Sequence, residues 1–206
     1  MPSVSDSELL RTWRAGDRRA GGELFARHFD SVYRFFRNKV DDPFEDLVQR
    51  TFMACLEARD RFREEASFRT FLFAIASNLL KEHLRSKHKD VEVDFERESI
   101  VDLGAGLSSI MAAREQARLV LHALRKIPLD CQVLLELYYW EELTGPELAA
   151  FLGVPEDTAR SRLRKAKKLL QMALPSGDER VWNLSGSVSS LERWARELRR
   201  QFAPAR

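Results

Sequence analysis

Apolar residues in this chain recur at steps of three and four in one block after another, and nowhere do they alternate over the length of a strand. Each block opens on a residue that caps a helix or lies beside proline, and most close on glycine or proline. Ser5 and Glu8 have capping-box spacing, in which hydroxyl and carboxylate satisfy orphan backbone groups, and the short helix they open ends near Ala15-Gly16. Asp17 can cap a second helix to about Val40, with Leu24, Phe25, His28, Phe29, Val32, Tyr33, Phe35 and Phe36 at helical spacing. Asp41-Asp42-Pro43 stops it, since proline lacks a backbone donor and restricts its predecessor. A third helix, about Phe44 to Ala58, brings Leu47, Val48, Met53 and Leu56 into play. Residues 59–66 are charged and read as a loop, after which Ser67 caps a long helix to about Ser86. Its expected inner stripe is Phe68, Phe71, Leu72, Ile75, Leu79, Leu80 and Leu84.

The period then fails. Between Lys87 and Ala113 the acids Asp90, Glu92, Asp94, Glu96, Glu98 and Asp102 outnumber Lys87, Lys89 and Arg97. Gly104-Ala105-Gly106 lies near its end, so the stretch reads as a flexible acidic linker. Helical pattern returns from about Ser109 to Lys126, and Pro128-Leu129-Asp130 opens another helix with Val133, Leu134, Leu137 and Tyr138 inward. Thr144 and Glu147 repeat the capping box for a short helix, Pro146 to Leu152. Gly153-Val154-Pro155 makes a tight turn into a basic helix running to about Ala173. Beyond Pro175-Ser176-Gly177 a last helix is expected near 190–202, with Leu191, Trp194, Ala195, Leu198 and Phe202 along one side. The expected fold is all-α: residues 1–86 one helical domain, 87–112 a linker, 113–174 a second domain, and 175–206 a C-terminal helical extension.

Composition excludes several classes. Glycine (9) and proline (7) are sparse in 206 residues and 32% are charged, which suits a helix-rich globular protein and not a collagenous or low-complexity one. The longest apolar run, Phe71 to Ala76, is far short of the ~20 residues a membrane helix needs. Residues 1–20 carry no secretory pattern, so the expected location is cytoplasmic, with no membrane insertion. Two cysteines, Cys55 and Cys131, build neither a disulfide framework nor a four-ligand zinc site. His28, His83, His88 and His122 are scattered, without metal spacing or a paired nucleophile, so no catalytic residue, metal or cofactor is expected, and the chain reads as no enzyme.

Net charge is only +2, so any affinity for nucleic acid must come from where charge sits. From Pro155 to Leu170 six bases face Glu156 and Asp157. A short helix, a glycine turn and a basic helix form the pattern of a helix-turn-helix. Ala159, Leu163, Ala166 and Leu170 make its inward stripe. Arg160, Ser161, Arg164 and Lys168 lie on another face with Asp157, where arginine forks match guanine acceptors, while Lys165 and Lys167 suit phosphates. A second constellation runs from Arg61 to Arg69, where Phe62 and Phe68 stand among Arg61, Arg63 and Arg69 just before a helix. Aromatic faces stack on unpaired bases and arginines hold the adjoining phosphates. Asn78, polar among Ile75, Ala76, Leu79 and Leu80, offers donors and acceptors for a base edge.

Leu47-Val48-Gln49-Arg50-Thr51-Phe52, Arg61-Phe62-Arg63, Ala66 to Leu72, Ile75-Ala76-Ser77-Asn78 and His83-Leu84-Arg85 together resemble the first domain of extracytoplasmic-function sigma factors, a minimal branch of the sigma-70 family. Ile127-Pro128-Leu129, Glu147-Leu148-Ala149 and Leu152 through Leu163 resemble their second domain, so the resemblance spans about residues 20–172. It implies a sigma-2-like domain, a sigma-4-like helix-turn-helix domain, and core RNA polymerase, promoter DNA and an anti-sigma factor as partners. By resemblance, Asp46, Leu47, Gln49 and Phe52 dock on core polymerase; Phe62, Arg63, Ser67, Phe68, Arg69 and Asn78 serve the −10 element; Arg160, Ser161, Arg164, Lys165, Lys167 and Lys168 serve the −35 element. Arg50 stands where the family usually has an acid, Phe71 where it often has tryptophan, and Asp157 where a small residue is common. Two other readings of the same residues are a one-component helix-turn-helix regulator and a helical protein-interaction adaptor.

Overall fold

A computed structural model describes residues 4–40, 43–62, 66–88, 92–103 and 115–174, and all its regular elements are helices. They are α1 (Asp6–Arg14), α2 (Arg18–Arg37), α3 (Glu45–Ala58), a 3₁₀ turn (Arg59–Arg61), α4 (Phe68–Lys87), α5 (Glu115–Arg125), α6 (Leu129–Tyr139), α7 (Gly145–Leu152) and α8 (Glu156–Ala173). The all-α reading holds. Arg63 and the helix expected near 190–202 lie outside the described residues.

Local chemistry sets most boundaries. The Ser5 backbone N–H donates to Glu8 at 2.9 Å, and the Glu8 N–H returns a bond to the Ser5 hydroxyl at 3.3 Å. Asp17 and Ser67 cap α2 and α4 through their side-chain oxygens. Helix α2 ends at Arg37, and its backbone bonding carries on to the expected Val40, whose N–H donates to the Phe36 carbonyl at 2.9 Å. The Lys39 ammonium turns back onto the Phe35 carbonyl at 2.9 Å and lies 3.9 Å from the Phe35 ring centroid, fully buried.

Helices α1 to α4 close around Leu24, Val32, Phe36, Cys55, Leu72, Ala76 and Leu80, all wholly inaccessible. Burying a large apolar side chain is worth about 1.5–3 kcal/mol. Helices α5, α6 and α8 close a second core around Val120, Ala123, Leu124, Leu135, Ala166 and Leu170. The first core does not stop at the domain boundary: one buried cluster continues into Leu129, Val133, Leu134 and Leu137 of α6 and Leu148 of α7.

Part of the linker joins that cluster. Val93, Phe95, Ile100 and Leu103 are buried in the described stretch 92–103. Its backbone reaches the second domain: Leu129 N–H donates to the Glu98 carbonyl at 2.9 Å, Asp130 N–H to Phe95 at 3.1 Å, and Val101 N–H to Arg125 at 3.2 Å. Of its acids Glu92, Asp94, Glu96 and Asp102 are exposed and Glu98 is half-buried; four apolar residues, spaced too irregularly to read as helix or strand, anchor it.

Candidate promoter and polymerase interfaces

The helix-turn-helix is built as its sequence indicates. Glu147 accepts from the backbone N–H and the hydroxyl of Thr144, each at 2.8 Å, and opens α7. Gly153 closes it at φ +63°, where a side chain is disfavoured, and Val154 N–H returns to the Ala149 carbonyl at 3.1 Å. Ala159, Ala166 and Leu170 of α8 are buried and Leu163 is half-buried, so the helix can present only its opposite side.

Ser161, Arg164 and Lys168 are exposed at the centre of that side, within about 60° of one another at ~100° per residue. Asp157 stands beside them, also exposed. Arg160 lies toward one flank and is already engaged, 2.7 Å from Glu156 and 3.4 Å from Asp157. Lys167 is half-buried on the same flank, its ammonium 4.2 Å from the Tyr138 ring centroid. Lys165 is exposed on the other flank. The exposed face of α8 thus carries Ser161, Arg164 and Lys168, while Arg160 beside them is held by Glu156 and Asp157.

The aromatic loop is held from an unexpected quarter. Arg14, at the end of α1, donates to the Arg59 carbonyl at 3.2 and 2.9 Å and to the Phe62 carbonyl. Nothing in the local sequence marks this clamp, because its partners lie 45 and 48 positions away. Phe62 is half-buried and stacks on Phe71. Phe68 proves to be a core residue, 4% exposed and packed near His28, so it supports the loop and offers no face to DNA. Ser67 caps α4, accepting from Thr70 N–H at 3.2 Å, and Arg69 is half-buried beside it. Asn78 is exposed farther along α4.

On α3, Asp46 and Gln49 are exposed and Phe52 is half-buried. Leu47 corrects the expectation: it is 2% exposed, part of the core, and can only position its neighbours. The sequence reading also missed a groove. Phe29, Met53 and Leu56, apolar and in helical register, remain 47%, 51% and 45% exposed, because Thr51 and Cys55 take the inward positions of α3. With Phe25, Tyr33 and Phe52 they line an almost wholly apolar furrow between α2 and α3, edged by Glu45 and Gln49. Arg50 points away from the furrow, donating to Glu82 of α4 at 3.0 Å.

No helix of the described residues is long and apolar enough to cross a membrane, and no group of three potential ligands among them could hold a metal ion.

A four-helix unit with an aromatic loop, followed by a helix-turn-helix unit with a basic outward face, is the plan of a two-domain promoter-recognition factor. Residues 24–89 match the model of sigma-70 region 2, and residues 117–170 match that of sigma-70 region 4. The chain belongs to the extracytoplasmic-function sigma factors of the sigma-70 family, alternative sigma factors that direct RNA polymerase to initiate transcription. It is 25% identical over 178 residues to the sigma-E factor of Haemophilus influenzae, covering 82% of this chain and 94% of the relative. To the sigma-E factor of Escherichia coli K12 it is 27% identical over 179 residues, covering 81% and 93%. In fold it is similar to CnrH, solved with the cytosolic domain of CnrY (TM-score 0.52, 24% identity, 81% of this chain and 95% of that one). It is also similar to RpoE of Bartonella quintana, solved with the anti-sigma factor NepR (TM-score 0.57, 19% identity, 76% and 98%).

Proposed function

We propose a division of labour among the surfaces of this sigma factor. The edge of α3 carrying Asp46, Gln49 and Phe52, with the furrow beside it, docks on core RNA polymerase. The loop at Phe62, with Ser67, Arg69 and Asn78 of α4, captures the −10 element, and α8 reads the −35 element through Ser161, Arg164 and Lys168, with Arg160, Lys165 and Lys167 at its flanks. Residues 1–86 form the polymerase-binding and −10 domain, 87–112 the linker and 113–174 the −35 domain. The observation that carries this reading is the furrow: a surface of exposed apolar side chains bordered by polar ones is the composition of a protein-docking site, and it adjoins the family's docking helix.

Energetics support the dependence on polymerase. Extruding a base from the duplex costs a few kcal/mol, and one stacking aromatic returns about 1–3 kcal/mol. The chain alone therefore opens DNA poorly, and core polymerase supplies the remainder. The protein acts by binding, without a catalytic residue of its own, in the cytoplasm. An anti-sigma factor is a further partner, because the Bartonella RpoE of similar fold was solved with the anti-sigma factor NepR. Run-off transcription by reconstituted holoenzyme on a promoter library tests the reading. Promoter-specific initiation is the expected result; binding to palindromic duplexes without polymerase would favour a one-component regulator.

A further inference from the structure

Two consecutive residues at the end of α1 hold the turn that carries Phe62. The Trp13 ring centroid lies 5.3 Å from the Arg59 guanidinium, which Asp60 also holds at 2.7 Å. Arg14 donates to the Arg59 carbonyl through both Nε and Nη2, and to the Phe62 carbonyl through Nη2. Its guanidinium also stands 5.8 Å from the Phe62 ring centroid.

The end of α3 needs such a cation. A helix C-terminus leaves carbonyls unpaired and carries partial negative charge, and the last turn of α3 has no basic residue of its own. Arg14 supplies one from another element, as a planar fork spanning two carbonyls three residues apart, which a single ammonium matches poorly. Phe62 leaves the helical path at ψ 116°, with its N–H on the Ala58 carbonyl at 3.1 Å and its own carbonyl on Arg14.

Helix α1 is a firm anchor for this fork. Asp6 meets Arg27 and His28 of α2, each at 2.6 Å, and Leu9, Leu10 and Trp13 are buried. A Cβ at Gly21 would strike the Trp13 indole, so α1 seats directly on α2. Arg14 lies ahead of residues 24–89, the stretch that matches sigma-70 region 2.

We propose that Arg14 is a positioning residue for −10 recognition, setting where the Phe62 ring stands and hence which base is captured. The inference rests on the reading of Phe62 as the −10 contact. An aromatic face accepts every base, so selectivity requires the ring to be held in register with polar groups, such as Asn78, that meet the base's edge. A site loosened by about 1 Å keeps its residues and loses its discrimination. Phe71 holds the ring by stacking, and Arg14 holds the backbone beneath it.

The test uses reconstituted holoenzyme and a promoter it transcribes, with each −10 and −35 base replaced in turn and scored by competition. Arg14→Ala should lose about tenfold of discrimination at one −10 base, within the range that one stacked base is worth. Its discrimination at −35 and its affinity for core polymerase should match wild type, which excludes a general folding defect. Millimolar methylguanidinium should restore the lost selectivity in Arg14→Ala, and an equal concentration of tetramethylammonium should not. In a Phe62→Ala background, Arg14→Ala should change nothing further, because the ring it positions is absent. Wild-type selectivity in Arg14→Ala beside a defect in Phe62→Ala would overturn the positioning role and leave the −10 reading intact. Equal losses at −10 and −35, losses that add to those of Phe62→Ala, or failure of the guanidinium to rescue would overturn it as well. Wild-type selectivity in Phe62→Ala itself would locate the fault in the −10 reading.

Discussion

The rings of Phe62 and Phe71 stack with centroids 4.5 Å apart and planes inclined by 28°. Phe71 belongs to α4 and Phe62 to the loop clamped by Arg14, so the stack fixes the loop against the helix that carries Asn78. A captured base would extend this stack or replace one of its members. Phe62→Ala should lose about 1–3 kcal/mol of open-complex stability, seen as weaker permanganate reactivity of promoter thymines, while holoenzyme assembly is unchanged. Phe62→Leu keeps apolar bulk but removes the stacking face and should share the defect. Normal opening by both variants would remove Phe62 from the pocket.

Arg164 and Lys165 are exposed neighbours on α8 that stand on opposite sides of Ser161. Arg164→Ala should cost about 1–3 kcal/mol and relax preference at particular −35 bases. Lys165→Ala should weaken all sequences alike and reduce the salt dependence of binding. Competition between base-substituted promoters, with holoenzyme, separates the two. A uniform loss for both variants would make α8 a phosphate clamp.

The caps and turns of this fold were legible because their partners lie within a few residues. Ser5 with Glu8, Thr144 with Glu147, and Gly153 at φ +63° each declare themselves in sequence. What depends on distant partners was not. The burial of Lys39 is explained by Glu136, 97 positions on. Phe29, Met53 and Leu56 follow helical spacing as faithfully as buried residues do, and periodicity alone does not say which apolar side meets a core. The linker betrayed its acids and concealed Val93, Phe95, Ile100 and Leu103. Site residues divided on the same principle: exposed Asn78 and Arg164 stand where spacing put them, whereas Leu47 and Phe68 belong to the core.

Gly21 records another long-range constraint, since a Cβ there would lie 2.5 Å from Nε1 of the Trp13 indole. Gly21→Ala must displace Trp13, which is buried and packs edge-on to Phe25 at 5.1 Å. Helix propensity favours alanine by about 1 kcal/mol, but overpacking costs about 1–3 kcal/mol. The variant should therefore melt lower than wild type, and Gly22→Ala, which meets nothing within 4 Å, should melt slightly higher. Thermal denaturation of the pair checks the sign.

Burial pushes the Cys55 thiol up to about 12, while Cys131 is raised by burial but half exposed. A thiolate is the reactive form, so at pH 8 Cys55 stays a thiol, and the side chain is also inaccessible. Iodoacetamide at pH 8 should label Cys131 first and Cys55 only on unfolding. Mass spectrometry of the labelled peptides reads the order directly. Early labelling of Cys55 would mean that α3 opens away from the core.

Met53 offers the sharpest separation of docking from folding, because its side chain lines the furrow while its neighbour Cys55 lies in the core. Met53→Asp places a charge where water already reaches, so the melting temperature should stay near wild type. The same charge would be desolvated if a polymerase surface covered the furrow, and an unpaired buried charge is costly. Affinity for core polymerase should fall at least tenfold, or about 1.4 kcal/mol, in a titration of labelled protein against core enzyme. Phe29→Asp, on the opposite wall, should repeat the loss. If both variants bind core polymerase as wild type does, the furrow is not part of the docking surface, and Asp46 and Gln49 must carry it alone.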